Sequence, residues 1–279
     1  VTLSMAPGVK LYFHDGASLW VHGRINVEGT AERPVVFRGD RTDRMFDYLP
    51  YDNTPSRWGG IRLKATSEDN RVNYADIHSA SFGIACDSSS LDFVKLTLEN
   101  SVIHNVGGEG LGLYHSRVSV GNTQISNTLG HCVAVVGGWA EFVHCTLAQF
   151  YPWDASRGAA LYLANKWLAE DYPLEHAYFL NCLVTGYADD VVTGNLEDKD
   201  KSVDYYFGNC VLRTVEDVDN AARFVDVVYE AKEDENSGQK QFRLFDTDNF
   251  LYDFRLKDIA LARDKGAVEW AAGYPADRW

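Results

Sequence analysis

The sequence predicts an all-β fold: a single-stranded right-handed parallel β-helix, or solenoid, of about eight to ten coils with loop insertions and one short helix. Three observations carry the expectation. The middle of the chain repeats itself, the residues before the repeat alternate apolar and polar with the period of a strand, and helical runs are few. At 279 residues, 46% of them hydrophobic, the chain is long enough to bury a large core. Residues 1–279 are expected to form one domain, with 1–63 as N-terminal coils, 64–229 as central repeats and 230–279 as a C-terminal coil and cap.

The first element is the stretch from Gly8 to Arg41, which alternates with period two and is punctuated by Gly16, Gly23 and Gly29. That is the chemistry of strands and tight turns. The repeat follows. Six segments superpose: RVNYADIHSA from Arg71, TLENSVIHNV from Thr97, SVGNTQISNT from Ser119, EFVHCTLAQF from Glu141, YFLNCLVTGY from Tyr178 and YFGNCVLRTV from Tyr206. One apolar position reads Val72, Leu98, Val120, Phe142, Phe179, Phe207. Five residues later another reads Ile77, Ile103, Ile125, Leu147, Val184, Leu212. The latter are spaced by 26, 22, 22, 37 and 28 residues, a minimum suited to one turn of three short strands with loops intruding elsewhere.

Between these columns lies a small position (Ala75, Ser101, Thr123, Cys145, Cys182, Cys210), preceded by a polar one (Tyr74, Asn100, Asn122, His144, Asn181, Asn209). Strands stacked about 4.8 Å apart bring like side chains into contact. The Asn position is therefore expected to hold a left-handed turn whose amide pairs with the next copy. The cysteine column is expected to be a buried row of reduced thiols. The chain has five cysteines and no C-x-x-C, so neither a disulfide framework nor a zinc site is indicated.

The ends of the chain carry G-V-x-L-x-F at Gly8 and a glycine-bounded strand, Gly16-Ala17-Ser18-Leu19-Trp20-Val21-His22-Gly23. They also carry G-T-x-x-x-P-V-x-F at Gly29, R-W-G-G-I at Arg57, and DFRLKDIALARDKGA from Asp253 to Ala267. In these segments the chain resembles exported right-handed β-helix proteins of Gram-negative bacteria, many of them surface lipoproteins of unassigned function. The last segment lacks the proline of that group's closing pattern. The resemblance implies a fold and a location, exported to the extracellular space, cell surface or periplasm; it implies no chemistry. The chain opens at Val1 in strand-like sequence, and the expectation is that a signal segment was trimmed from it. No stretch approaches the length of a membrane-spanning helix.

Insertions are expected at Thr42 to Pro55, Tyr151 to Pro173, Leu196 to Lys201 and Glu230 to Lys240, with the short helix in KWLAEDY around Trp167. The segment after Phe242 is expected to complete and cap the last coil.

Formal charge is −14, which disfavours nucleic acid as a partner. Polysaccharide or a surface protein remains, with the chain as a monomer and no cofactor. The first functional reading is a non-enzymatic surface or secreted protein that binds through loops and aromatics, with Tyr48, Tyr51, Trp58, Trp139, Trp153 and Trp167 as candidate ligand-binding rings and Tyr151 and Tyr172 beside them. The second is a polysaccharide lyase or glycoside hydrolase with a divergent site around Asp189, Asp190, His78 and His104. Asp189–Asp190 resembles the paired-Asp segment of the polygalacturonase family, yet Asn-Thr-Asp and Arg-Ile-Lys are absent and Gly130-His131-Cys132 stands where Gly-His-Gly would be. The lyase signatures Trp-Ile-Asp-His and Arg-x-Pro-x-x-Arg are also absent. His78 and His104 occupy equivalent positions in consecutive repeats, an arrangement compatible with a metal or a base. Without a carboxylate motif beside them a solvated pair is expected, and no metal site is assigned.

Overall fold

Each short strand of the repeat is apolar on at least one side, so it must lay that side against its neighbours. The computed structural model describes residues 1–168, 170–197, 203–270 and 274. It arranges most of the strands in two large sheets in which every pairing is parallel.

One sheet has nine strands, in the order Lys10–Phe13, Val35–Gly39, Ala75–His78, Val102–Val106, Gln124–Thr128, Thr146–Gln149, Leu183–Gly186, Val211–Leu212 and Val228–Tyr229. The other has fourteen, and its two longest members, Leu111–Gly121 and Val133–Val143, pair with each other over almost their whole length. Their C-terminal halves continue the row of Asn70–Asn73 and Leu96–Glu99. Their N-terminal halves continue a second row through Gly60–Leu63 and Ile84–Cys86.

Both apolar columns are in register from end to end. Val72, Leu98, Val120, Phe142, Phe179 and Phe207 face one another in the larger sheet. Ile77, Ile103, Ile125, Leu147, Val184 and Leu212 do so in the nine-stranded one. None of these twelve exceeds 2% exposure. The aromatic part is a true stack: ring centroids are 4.8 Å apart from Phe142 to Phe179, 5.0 Å to Phe207 and 5.2 Å on to Phe224.

The turn column behaves as its side chains require. Asn100, Asn122, Asn181 and Asn209 all have φ near +50°, the left-handed region that Asn tolerates best among non-glycine residues. The Asn122 amide donates to Asn100 Oδ1 at 2.7 Å, and Asn100 donates to Asn73 at 2.8 Å. Beside it, Cys145, Cys182 and Cys210 are buried thiols, each directed at a backbone carbonyl.

Two expectations are corrected. The region of Trp167 is not helical: Leu168 takes φ 57° and turns the chain, so that Lys166–Trp167 pairs antiparallel with Glu170–Asp171. Trp167 and Leu168 are exposed, and a helix this short with no buried face has nothing to hold it. The helical residues described are confined to four 3-10 turns at Tyr51–Asn53, Val218–Arg223, Gly238–Gln241 and Val268–Trp270.

The segment after Phe242 does not add a further parallel strand either. Phe242–Asp246 and Leu251–Leu256 form an antiparallel hairpin. Phe242, Phe245, Phe254 and Leu256 pack with Phe150, Leu183 and Val211 on the outer face of the nine-stranded sheet, where an apolar patch awaits them. Of the four insertions, Leu196 to Lys201 lies partly outside the described residues.

Candidate functional site

In Ala75–His78 the alternation that buries Ile77 turns Asp76 and His78 to the outer face of the nine-stranded sheet. The next strand, Val102–Val106, places Ile103 opposite Ile77 and so His104 opposite His78. The two imidazoles stack with centroids 4.9 Å apart. Asp76 reaches both: its Oδ1 lies 2.8 Å from His78 Nδ1 and 3.2 Å from His104 Nε2.

The insertion at 42–55 completes the cluster. Its 3-10 turn Tyr51–Asn53 carries Asp52, whose Oδ1 sits 2.5 Å from Arg38 Nη2 and 3.7 Å from His78 Nε2. The turn is fastened to the sheet by the Ser79 hydroxyl, which donates to the Asp52 carbonyl oxygen at 2.5 Å. Side-chain exposure grades from 8% at His78 to 29% at His104, 35% at Asp76 and 38% at Asp52, so the cluster is walled on one side and open on the other.

Burial works to lower the His78 pKa, but Asp76 and Asp52 outweigh it and raise the group to about 9. Burial works to raise Asp76, and the two imidazoles overcome it, holding that carboxyl well below the usual range. The His78 ring thus sits between two carboxylates that favour positive charge at this place. A carboxyl held as low as that of Asp76 is poorly matched to general-acid work.

The structure separates the other candidates from this cluster. Asp189 and Asp190 follow Leu183–Gly186, three strands beyond His104 in the sheet, roughly 14 Å along the stack. Asp189 is exposed and pairs with Lys232 at 3.2 Å. Asp190 accepts from the Val192 amide at 3.1 Å and the Thr214 hydroxyl at 2.8 Å, as a turn residue does.

The six candidate rings divide. Trp58 is 1% exposed, stacks on Phe13 at 4.3 Å and donates Nε1 to the His78 carbonyl at 2.8 Å. Tyr51 is buried between Arg41 and Arg57, and Tyr151 is buried as well. Trp58 and Tyr51 are therefore removed as ligand-stacking rings; they shape the cluster from beneath. Trp139 lies flat between His176 and Arg117, with Tyr172 elsewhere bonded to Glu170. Trp167 is exposed with its neighbour Tyr114 edge-on. Tyr48 is 68% exposed, parallel to Phe46, and Trp153 is 41% exposed against Phe250.

Sequence reasoning paired His78 with His104 but missed Asp76, although strand alternation puts residues two apart on one face. Arg38 follows by the same alternation from Phe37 lying opposite Ile77, whereas Asp52 had no such signal. The contact is made by an insertion folding back. No protein-family model, curated protein or solved structure matches this chain.

Proposed function

We propose that this chain is a non-enzymatic, exported right-handed parallel β-helix protein, monomeric, that binds a polysaccharide or surface-protein partner. Binding takes place on the outer flank of the nine-stranded sheet, where two insertions meet. The observation that carries this reading is the set of exposed rings on those insertions. Phe46 and Tyr48 project from residues 42–55, Trp153 leans on Phe250 of the C-terminal hairpin, and Asn53 bonds the Phe250 carbonyl at 3.4 Å. Flat exposed rings stack on sugar faces or anchor a protein partner, with neighbouring Asp and Asn groups for hydroxyls.

Handedness rests on the rule that crossovers between parallel strands of one sheet are right-handed in nearly all cases. Export rests on the resemblance of the terminal segments. Among the described residues no helix is long and apolar enough to cross a membrane. A divergent site uniting Asp189 and Asp190 with His78 and His104 is disfavoured by the distance between them along the sheet.

The test is a glycan array and a surface-protein pull-down with the whole chain, alongside reducing-end and unsaturated-product assays. Binding to one class, lost in Tyr48→Ala/Trp153→Ala with an unchanged melting temperature, supports the reading. Turnover of any polysaccharide, or binding indifferent to both substitutions, overturns it.

A further inference from the structure

We propose that Asp76, His78 and His104 bind one divalent ion of the zinc class, through Asp76 Oδ1, His78 Nδ1 and His104 Nε2. This goes beyond partner binding and does not depend on it.

Geometry is the first argument. The three donor atoms lie within 4.8 Å of one another, and Asp76 Oδ1 is 2.8 Å from one ring nitrogen and 3.2 Å from the other. Bonds of about 2.0–2.2 Å to a shared ion set donors roughly 3–4 Å apart, close to the 2.8 and 3.2 Å at which Asp76 Oδ1 stands from the two ring nitrogens.

The second argument lies on the far side of His78. A ligating imidazole ordinarily gives its other ring nitrogen to a carboxylate, which fixes its orientation. Asp52 Oδ1 stands 3.7 Å from His78 Nε2, within ion-pair reach though beyond a hydrogen bond, and forms an ion pair with Arg38. Asp52 is therefore a positioning residue rather than a ligand.

Chemistry selects the ion. Two imidazoles and one carboxylate suit zinc, cobalt or nickel, whereas calcium and magnesium demand oxygen donors. The open side of the cluster leaves remaining positions to water or to a group from the partner. The thiol column offers no comparable set, because its sulfurs lie in a straight row and point at backbone carbonyls.

The experiment uses the untagged full chain, stripped with a chelator and titrated with Zn²⁺, Co²⁺ and Ca²⁺ near neutral pH. Calorimetry should give one zinc per chain, Co²⁺ should show visible d–d bands, and Ca²⁺ should not compete. His104→Ala should weaken zinc at least about 10-fold and abolish the cobalt spectrum, and Asp52→Asn should weaken it by roughly 10-fold with stoichiometry kept. His22→Ala, just after the strand Ser18–Val21 of the other large sheet, should change nothing. Should His104→Ala fold poorly, His104→Gln keeps the bulk of the side chain and serves in its place. No zinc uptake by the wild-type chain, uptake undiminished in the His104 variants, or calcium binding of equal strength would each overturn the proposal.

Discussion

Arg213 Nε donates to Glu230 Oε1 at 2.6 Å, with 6% of one side chain and none of the other in contact with solvent. Glu230 also accepts from the Thr185 hydroxyl, the Gly238 amide and Gln241, each at 2.8 Å. Arg213 donates onward to the Gly186 carbonyl and to Ser237. The pair therefore joins the last strands of the nine-stranded sheet to the segment that leads into the C-terminal hairpin. Glu230→Ala strands a guanidinium in the interior and should cost about 3–5 kcal/mol in urea unfolding. A loss below about 1 kcal/mol would mean that water reaches Arg213.

Phe179 lies between Phe142 and Phe207 and is fully buried. Phe179→Ala opens a cavity in the middle of the ring stack and should cost about 3–5 kcal/mol, with Phe179→Leu losing markedly less. Equal losses for the two would show that ring stacking, rather than filled volume, dominates there.

Acid should act through Asp87. Burial favours its neutral form, but Lys64 at 2.6 Å and Arg62 at 2.7 Å prevail and hold the carboxyl below its ordinary value of 3.8. Because the folded value lies below the unfolded one, the stabilisation is complete above the unfolded value and drains away as pH falls through the folded one. Asp87→Asn should thus be less stable than wild type at neutral pH, and the gap in melting temperature should close on acidification below about pH 4. A gap that widens with acid contradicts the sign.

All five cysteines are buried and unpaired, and burial pushes Cys86 and Cys132 up to about 12. Thiolate, not thiol, is the nucleophile, so native protein should be inert to an aromatic disulfide reagent at mildly alkaline pH. In denaturant all five should react. Rapid native labelling of Cys86 or Cys132 would show that these positions open to solvent.

The parts of this structure that repeat could be read from the sequence, because each copy testifies to the others. The φ of Asn122 and its amide bond to Asn100 follow from finding Asn at one position in successive copies, and the ring stack follows from Phe142, Phe179 and Phe207 in the same way. Insertions have no second copy to consult. Trp58 looked like a surface ring beside a loop, yet Phe13, far back in the chain, supplies the flat partner that buries it. Trp167 lies in a segment whose composition favours a helix, but the left-handed backbone at Leu168 decides for a hairpin. The site shows both cases: Asp76 was available from strand alternation, whereas Asp52 depends on how one excursion docks.

The alignment of His104 with His78 has a wider consequence. Slipping the strand Val102–Val106 by one residue would drive His104 into the interior and expel Ile103 into water. The chemical identity of this flank is thus inherited from the phase in which two parallel strands pair.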